Sequence, residues 1–228
     1  MTPHLQQTRF ARITRLGRRH GAEAANGNGN GNGHSTDALQ PGADAGLAAA
    51  PAPLGRTVSR ALRADGVCVL TFDRPGSAAN IFDRRTLAEL AEELEQIAAD
   101  PEVRGLVIAS AKKSIFVAGA DLNAMGDGAT PDQVRDLIEF GQEVMDLLAA
   151  MTVPTVAAIH GAAVGGGYEL CLACDWRVAS TEKSTRIGLP ETKLGLLPAW
   201  GGTTRLPRLI GLPQALDIIL GGKTLAAK

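Results

Sequence analysis

Two glutamates, each set among glycines and apolar residues, are the side chains of this sequence best placed to do chemistry. Glu169 closes the run Gly161-Ala-Ala-Val-Gly165-Gly166-Gly167-Tyr168-Glu169, just after the apolar stretch Thr155-Val-Ala-Ala-Ile159. Glycine has no Cβ, so a ligand can press against the backbone there. A glycine loop that turns into a helix presents unpaired N–H groups, which are suited to an oxyanion. A carboxylate two residues further on sits beside those donors as an acid/base. Glu191 lies in Ile187-Gly-Leu-Pro-Glu191-Thr-Lys-Leu-Gly195, flanked by Leu189, Pro190 and Leu194. Burial there favours its protonated form, which a proton donor needs. A third segment, Ile115-Phe-Val-Ala-Gly-Ala-Asp-Leu122, is a strand exit with small residues at its turn.

Taken in this order, the three segments resemble the crotonase (enoyl-CoA hydratase/isomerase) superfamily. The similarity is closest to the hydratase module of its multifunctional fatty-acid oxidation branch, also through Asp73-Arg-Pro-Gly-Ser. The resemblance spans roughly residues 57–228. It implies an α/β fold in which ββα units wind into a spiral. It implies an oxyanion hole made by the N–H groups of Ala120 and Gly166. It implies Glu169 and Glu191 as the acid/base pair; Glu169 is assigned to deprotonate a water and Glu191 to deliver a proton to Cα, with a sharing of these duties as the alternative. The Ala118 backbone is expected to meet the adenine of coenzyme A. Gly119, Asp121, Gly165, Gly167, Pro190 and Ala199 are expected along the substrate, with Asp121 capping a short helix.

No separate cofactor and no metal is expected, because coenzyme A arrives as part of the substrate. The implied activity is hydration of trans-2-enoyl-CoA thioesters in fatty-acid β-oxidation. Two alternatives stand beside it: a Δ3–Δ2-enoyl-CoA isomerase, and a catalytically silent CoA-binding module. The last arises because family members continue past the point corresponding to Lys228 with helices that close the acyl site, so the C-terminal helices are expected to be truncated here. Self-association, or pairing with a thiolase subunit, is the expected partnership.

Other reactive side chains read as structural. His160 has no serine or cysteine motif beside it, so a hydrogen-bonded strand-end histidine is expected. Cys171 and Cys174 are spaced C-x-x-C, but no further zinc ligands stand at suitable spacing, so both are expected to pack a buried helix. Lys193 and Arg205 are weighed as contacts to CoA phosphates against ordinary surface solvation.

The elements that must position these residues are legible from pattern. Val58–Leu62 and Val67–Phe72 read as a hairpin across Asp65-Gly66. Asp83 caps a helix carrying Leu87, Leu90, Leu94 and Ile97 at helical spacing. Leu106–Ala109, Thr155–Ile159 and Trp176–Ala179 read as strands. Thr130-Pro-Asp-Gln133 is a capping box opening a helix with Val134, Leu137, Ile138, Gly141, Val144, Leu148 and Met151 on one face. Leu206–Leu220 reads as helix interrupted at Gly211-Leu-Pro213.

Composition fits one folded domain of about 170 residues behind a tail. Of 228 residues, 45% are apolar and 4% aromatic, so aliphatic side chains must fill the core. Residues 1–20 hold five arginines and no acid, which leaves 18 basic against 24 acidic residues in the rest. A mildly acidic body gives no electrostatic reason to expect nucleic acid. No apolar stretch reaches the length of a membrane span. Residues 1–55, with an Asn-Gly repeat at 26–33, are expected to be a disordered basic and low-complexity extension, and 56–228 the folded unit. A cytoplasmic location is expected, or the mitochondrial matrix if the basic N-terminus is a transit peptide.

Overall fold

The computed structural model describes residues 55–122, 126 and 128–227. The expectations for the N-terminal tail, and the helix after Asp121, lie outside the described residues. Among the described residues there are nine strands, arranged in two sheets, and five α-helices. The larger sheet has the order β1-β2-β3-β5-β7, formed by Val58–Leu62, Val67–Phe72, Gly105–Ser110, Thr155–Ile159 and Trp176–Ala179. β1 pairs antiparallel with β2, as the hairpin reading requires, and all other neighbours in this sheet are parallel. The smaller sheet has the order β4-β6-β8-β9, formed by Ile115–Val117, Ala162–Val164, Arg186–Gly188 and Thr224–Ala226.

From β3 to β8, consecutive strands fall in different sheets, and a helix follows each pair. β3 and β4 precede α2 (Pro131–Ala149), β5 and β6 precede α3 (Gly166–Ala173), and β7 and β8 precede α4 (Gly202–Ile210). This is a spiral of ββα units, each turn adding one parallel strand to each sheet. α1 (Arg84–Ala99) follows the hairpin, and α5 (Leu212–Leu220) leads to β9, which returns antiparallel on β8.

Local chemistry sets these boundaries. The Asp83 carboxylate accepts from Thr86 N at 2.7 Å and pairs with Arg74 at 2.7 Å, capping α1. Leu87, Leu90, Leu94 and Ile97 are fully buried beneath the large sheet's inward residues Cys68, Leu70, Phe72, Leu106 and Ile108. Thr130 and Gln133 form both bonds of a capping box at α2, with Pro131 in its first turn.

Three expectations need correction. The glycine run is not fed directly by Thr155–Ile159. The chain turns at Gly161 (φ +69°) and makes β6 in the second sheet before α3 begins. α2 ends at Ala149, so Met151 packs on the core from the turn beyond it. The last helical segment starts earlier than Leu206, at Gly202; its interruption is where it was expected, at Gly211 (φ +84°), because Pro213 has no N–H to bond back into α4.

Candidate active site

The N-terminus of α3 is pressed onto the end of β4. A Cβ on Gly167 would collide with the Val117 carbonyl, so only glycine permits this approach. Gly165 stands at φ +56° as the residue before the helix, and its N–H donates to Gly188 O at 3.0 Å. The backbone then enters α3 with the Gly166 N–H unused. On the facing loop, Phe82 N donates to Gly119 O at 2.8 Å and Asp121 N to Phe82 O at 2.9 Å, which leaves the intervening Ala120 N–H turned away from that ladder. Among the described residues neither Ala120 N–H nor Gly166 N–H has an acceptor. A Cβ on Gly166 would lie 3.6 Å from Ala120 N, so the two donors are close neighbours.

Both donors border a cavity of about 150 Å³. Its lining includes Ala118, Gly119, Ala120, Gly165, Gly166, Glu169, Pro190, Glu191 and Ala199, nine of the eleven residues expected from the sequence. Gly167 is buried against Val117, and Asp121 is tied to Phe82; neither lines the cavity. Leu137 and Ile138 of α2, Leu122, Leu194, Leu196, Leu197 and Trp200 supply the apolar remainder.

The glutamates differ in how they are held. Glu169 is 2% exposed, and its Oε1 accepts from Trp200 N and Gly202 N, each at 2.8 Å. Burial pushes its carboxyl up to about 7; the N–H bond from Gly202 opposes this, and the charge of Glu191 adds to it. Oε2 makes no protein hydrogen bond among the described residues. Glu191 opens the 3-10 turn Glu191–Leu194, and its Oε1 lies 3.3 Å from where a Gly165 Cβ would stand. Its Oε2 is buried without a hydrogen-bond partner among the described residues, and burial raises its pKa. Among the described residues no basic side chain lines the cavity. One carboxyl is therefore oriented by fixed donors, the other keeps an oxygen without a hydrogen bond, and burial strengthens the hold of both on a proton.

Two residues with a part in the site escape the sequence reading. Asn80 is fully buried; its Nδ2 faces Phe72 O (3.2 Å), Ser110 Oγ (2.9 Å) and Phe116 O (3.0 Å), and its Oδ1 accepts from Arg74 N at 2.9 Å. Its carbonyl receives the Ala118 N–H at 2.9 Å, so Asn80 fixes the oxyanion loop to three strands. An asparagine after a turn reads as part of the turn, and nothing local separates the two roles. The indole of Trp200 is the second; the glycines it needs lie far away in sequence, at 141 and 166.

The remaining side chains sort as follows. The His160 imidazole bonds Lys112 O through Nε2, which must carry the proton. The Cys171 and Cys174 thiols are buried and donate to carbonyls one helical turn back. No group of metal-ligating side chains occurs among the described residues. Arg205 is engaged inside the fold, donating to Trp200 O at 3.0 Å and pairing with Asp146 at 2.9 Å.

Comparison with known proteins agrees with this architecture. The chain is 46% identical over 173 residues to the fatty acid oxidation complex subunit alpha of Shewanella sp. (strain W3-18-1), covering 76% of this chain and 24% of that one. It is 48% identical over 164 residues to the same-named protein of Shewanella loihica, covering 72% and 23%. It thus spans about a quarter of the length of these curated relatives. Among solved structures, an enoyl-CoA hydratase from Bacillus anthracis superposes with a TM-score of 0.70 at 36% identity, covering 75% of this chain and 65% of that one. Pseudomonas aeruginosa DspI gives 0.70 at 32%, covering 78% and 71%. The enoyl-CoA hydratase/isomerase family model matches residues 63–228, and the chain belongs to that family.

Proposed function

We propose that this chain adds water across the double bond of trans-2-enoyl-CoA thioesters. One observation carries the reading: two N–H groups without acceptors and two dissimilar carboxyls converge on one apolar cavity. Attack on Cβ moves negative charge to the thioester oxygen. Donors fixed in a water-poor site stabilise that charge without reorganising. The Ala120 and Gly166 N–H groups are assigned this part.

The attacking water is assigned to the space between the carboxyls. Glu169, held at Oε1 by two N–H groups, takes the water proton on Oε2. Glu191, whose hold on a proton burial strengthens, gives a proton to Cα in its protonated form. Hydroxide goes to Cβ, so one water is added overall, and a proton passed from Glu169 to Glu191 restores both groups. The Ala199 N–H, at the cavity edge, is a further donor for the water. No cofactor is consumed, since coenzyme A is the handle of the substrate. The relatives are named as subunits of a fatty acid oxidation complex. We place this chain in an assembly of the same kind.

The test is loss of enoyl-thioester absorbance with crotonyl-CoA, beside Glu191→Gln. Hydration by the wild type and a fall of about 100-fold or more in the variant is expected from loss of a general acid. Folded protein that binds CoA thioesters without turnover would overturn the reading in favour of a binding module. Migration of the double bond in a 3-enoyl-CoA without water addition would assign an isomerase.

A further inference from the structure

The indole of Trp200 occupies a position that nothing in the proposed chemistry requires. It is 4% exposed and wedged between two helices. A Cβ on Gly166, at the start of α3, or on Gly141, in the middle of α2, would run into the ring. Phe82 meets it edge-on at 5.6 Å. Its Nε1–H is buried without an acceptor among the described residues. A phenyl ring would avoid that penalty, so what the site retains is the volume of the indole rather than its polar handle.

The ring is also fixed relative to the reacting atoms. Trp200 N holds Glu169 Oε1, and the ring lies against Gly166, whose N–H borders the cavity. Leu194 and Leu197, also in the lining, are 58% and 66% exposed, which is where a large polar handle can leave. The cavity is about 150 Å³, well below the roughly 300–1,000 Å³ common for ligand pockets.

We propose that the Trp200 indole is the floor of the acyl cavity and restricts this protein to short-chain acyl-CoA thioesters. This rests on the enoyl-thioester reading above. A thioester oxygen at Ala120 and Gly166, with Cα and Cβ beside Glu169, sends the next acyl carbons toward the ring. Gly141 and Gly166 are the complementary feature: they make room for a ring this large between α2 and α3.

The experiment measures binding of butanoyl-, octanoyl- and dodecanoyl-CoA by calorimetry, and hydration of the matching 2-enoyl-CoAs, for wild type, Trp200→Phe and Trp200→Leu. Trp200→Phe keeps an aromatic edge for Phe82 and removes the orphaned N–H, so it retains the fold if Trp200→Leu does not. Expected is wild-type affinity that gains nothing from butanoyl to octanoyl. In the variants each newly accommodated methylene should add up to about fourfold, for a shift of at least tenfold in the octanoyl-to-butanoyl ratio. The ratio cancels any disturbance of Glu169. Wild-type binding that tightens with length as steeply as in the variants overturns the proposal. The predicted length dependence without turnover leaves it standing and removes the hydratase instead, while no binding of any acyl-CoA removes both.

Discussion

Glu169 is a carboxyl that the fold holds at a cost. Its ordinary value of 4.5 is raised to about 7, chiefly by burial, against two N–H bonds that favour the anion. The folded state therefore binds more protons than the unfolded state between those values. This contribution to stability is full below about pH 4.5 and is lost as pH rises through about 7, on the order of 3 kcal/mol in all. Glu169→Gln removes the buried charge while its amide oxygen still accepts from Trp200 and Gly202. The variant should melt several degrees above wild type near pH 8, and the difference should shrink toward pH 5, as scanning calorimetry across that range would register. Hydration in the wild type should rise with pH through an apparent value near 7 that belongs to the Glu169–Glu191 pair jointly. A melting difference independent of pH would mean that the carboxyl is not charged against its surroundings. Both glutamates were legible in the sequence because glycines and apolar neighbours surround them. Trp200 was not legible as a wall, because its packing partners come from two other helices.

At the scale of elements, the oxyanion loop depends on a side chain outside it. Ala118, Gly119 and Ala120 are strung along the segment Asn80–Phe82 by backbone bonds, and the Asn80 amide ties that segment to β2, β3 and β4. Asn80→Ala leaves the Phe116 carbonyl and the Arg74 N–H without this partner in a buried place. A loss of about 2–4 kcal/mol is expected in urea unfolding. A fall in kcat is expected too, because the Ala120 donor loses its support. An unchanged urea midpoint would show that water takes over these bonds. The pattern-bearing elements were readable before the structure: Asp83 and Thr130 cap the helices they were expected to cap, and β1 and β2 pair across Asp65-Gly66. The second sheet was not. All four of its strands, β4, β6, β8 and β9, are three residues each, too short for alternation to register, and the first three are set by a topology in which successive strands change sheets.

Across the whole molecule, the spiral brings turns that are distant in sequence onto one cavity, and their relative placement depends on ties between them. α2 and the segment before α4 are joined twice: Gln142 Nε2 donates to Ala199 O at 2.8 Å, and Arg205 reaches from α4 to both Trp200 O and Asp146. The second tie matters more for chemistry, because the Trp200 carbonyl it holds belongs to the residue whose N–H orients Glu169. Arg205 is 20% exposed and Asp146 47%, so the ion pair itself is weakened by solvent. The hydrogen bond to the Trp200 carbonyl supplies most of the effect. Arg205→Ala should cost about 1–2 kcal/mol of stability. In catalysis it should lower kcat with little change in KM, because a drifting Glu169 weakens the transition state while leaving the CoA handle alone. An arginine that gripped the phosphates of coenzyme A would give the opposite split, with KM raised and kcat kept. Steady-state kinetics of this one variant against crotonyl-CoA therefore distinguishes a brace between turns of the spiral from a substrate contact, and the geometry requires the brace.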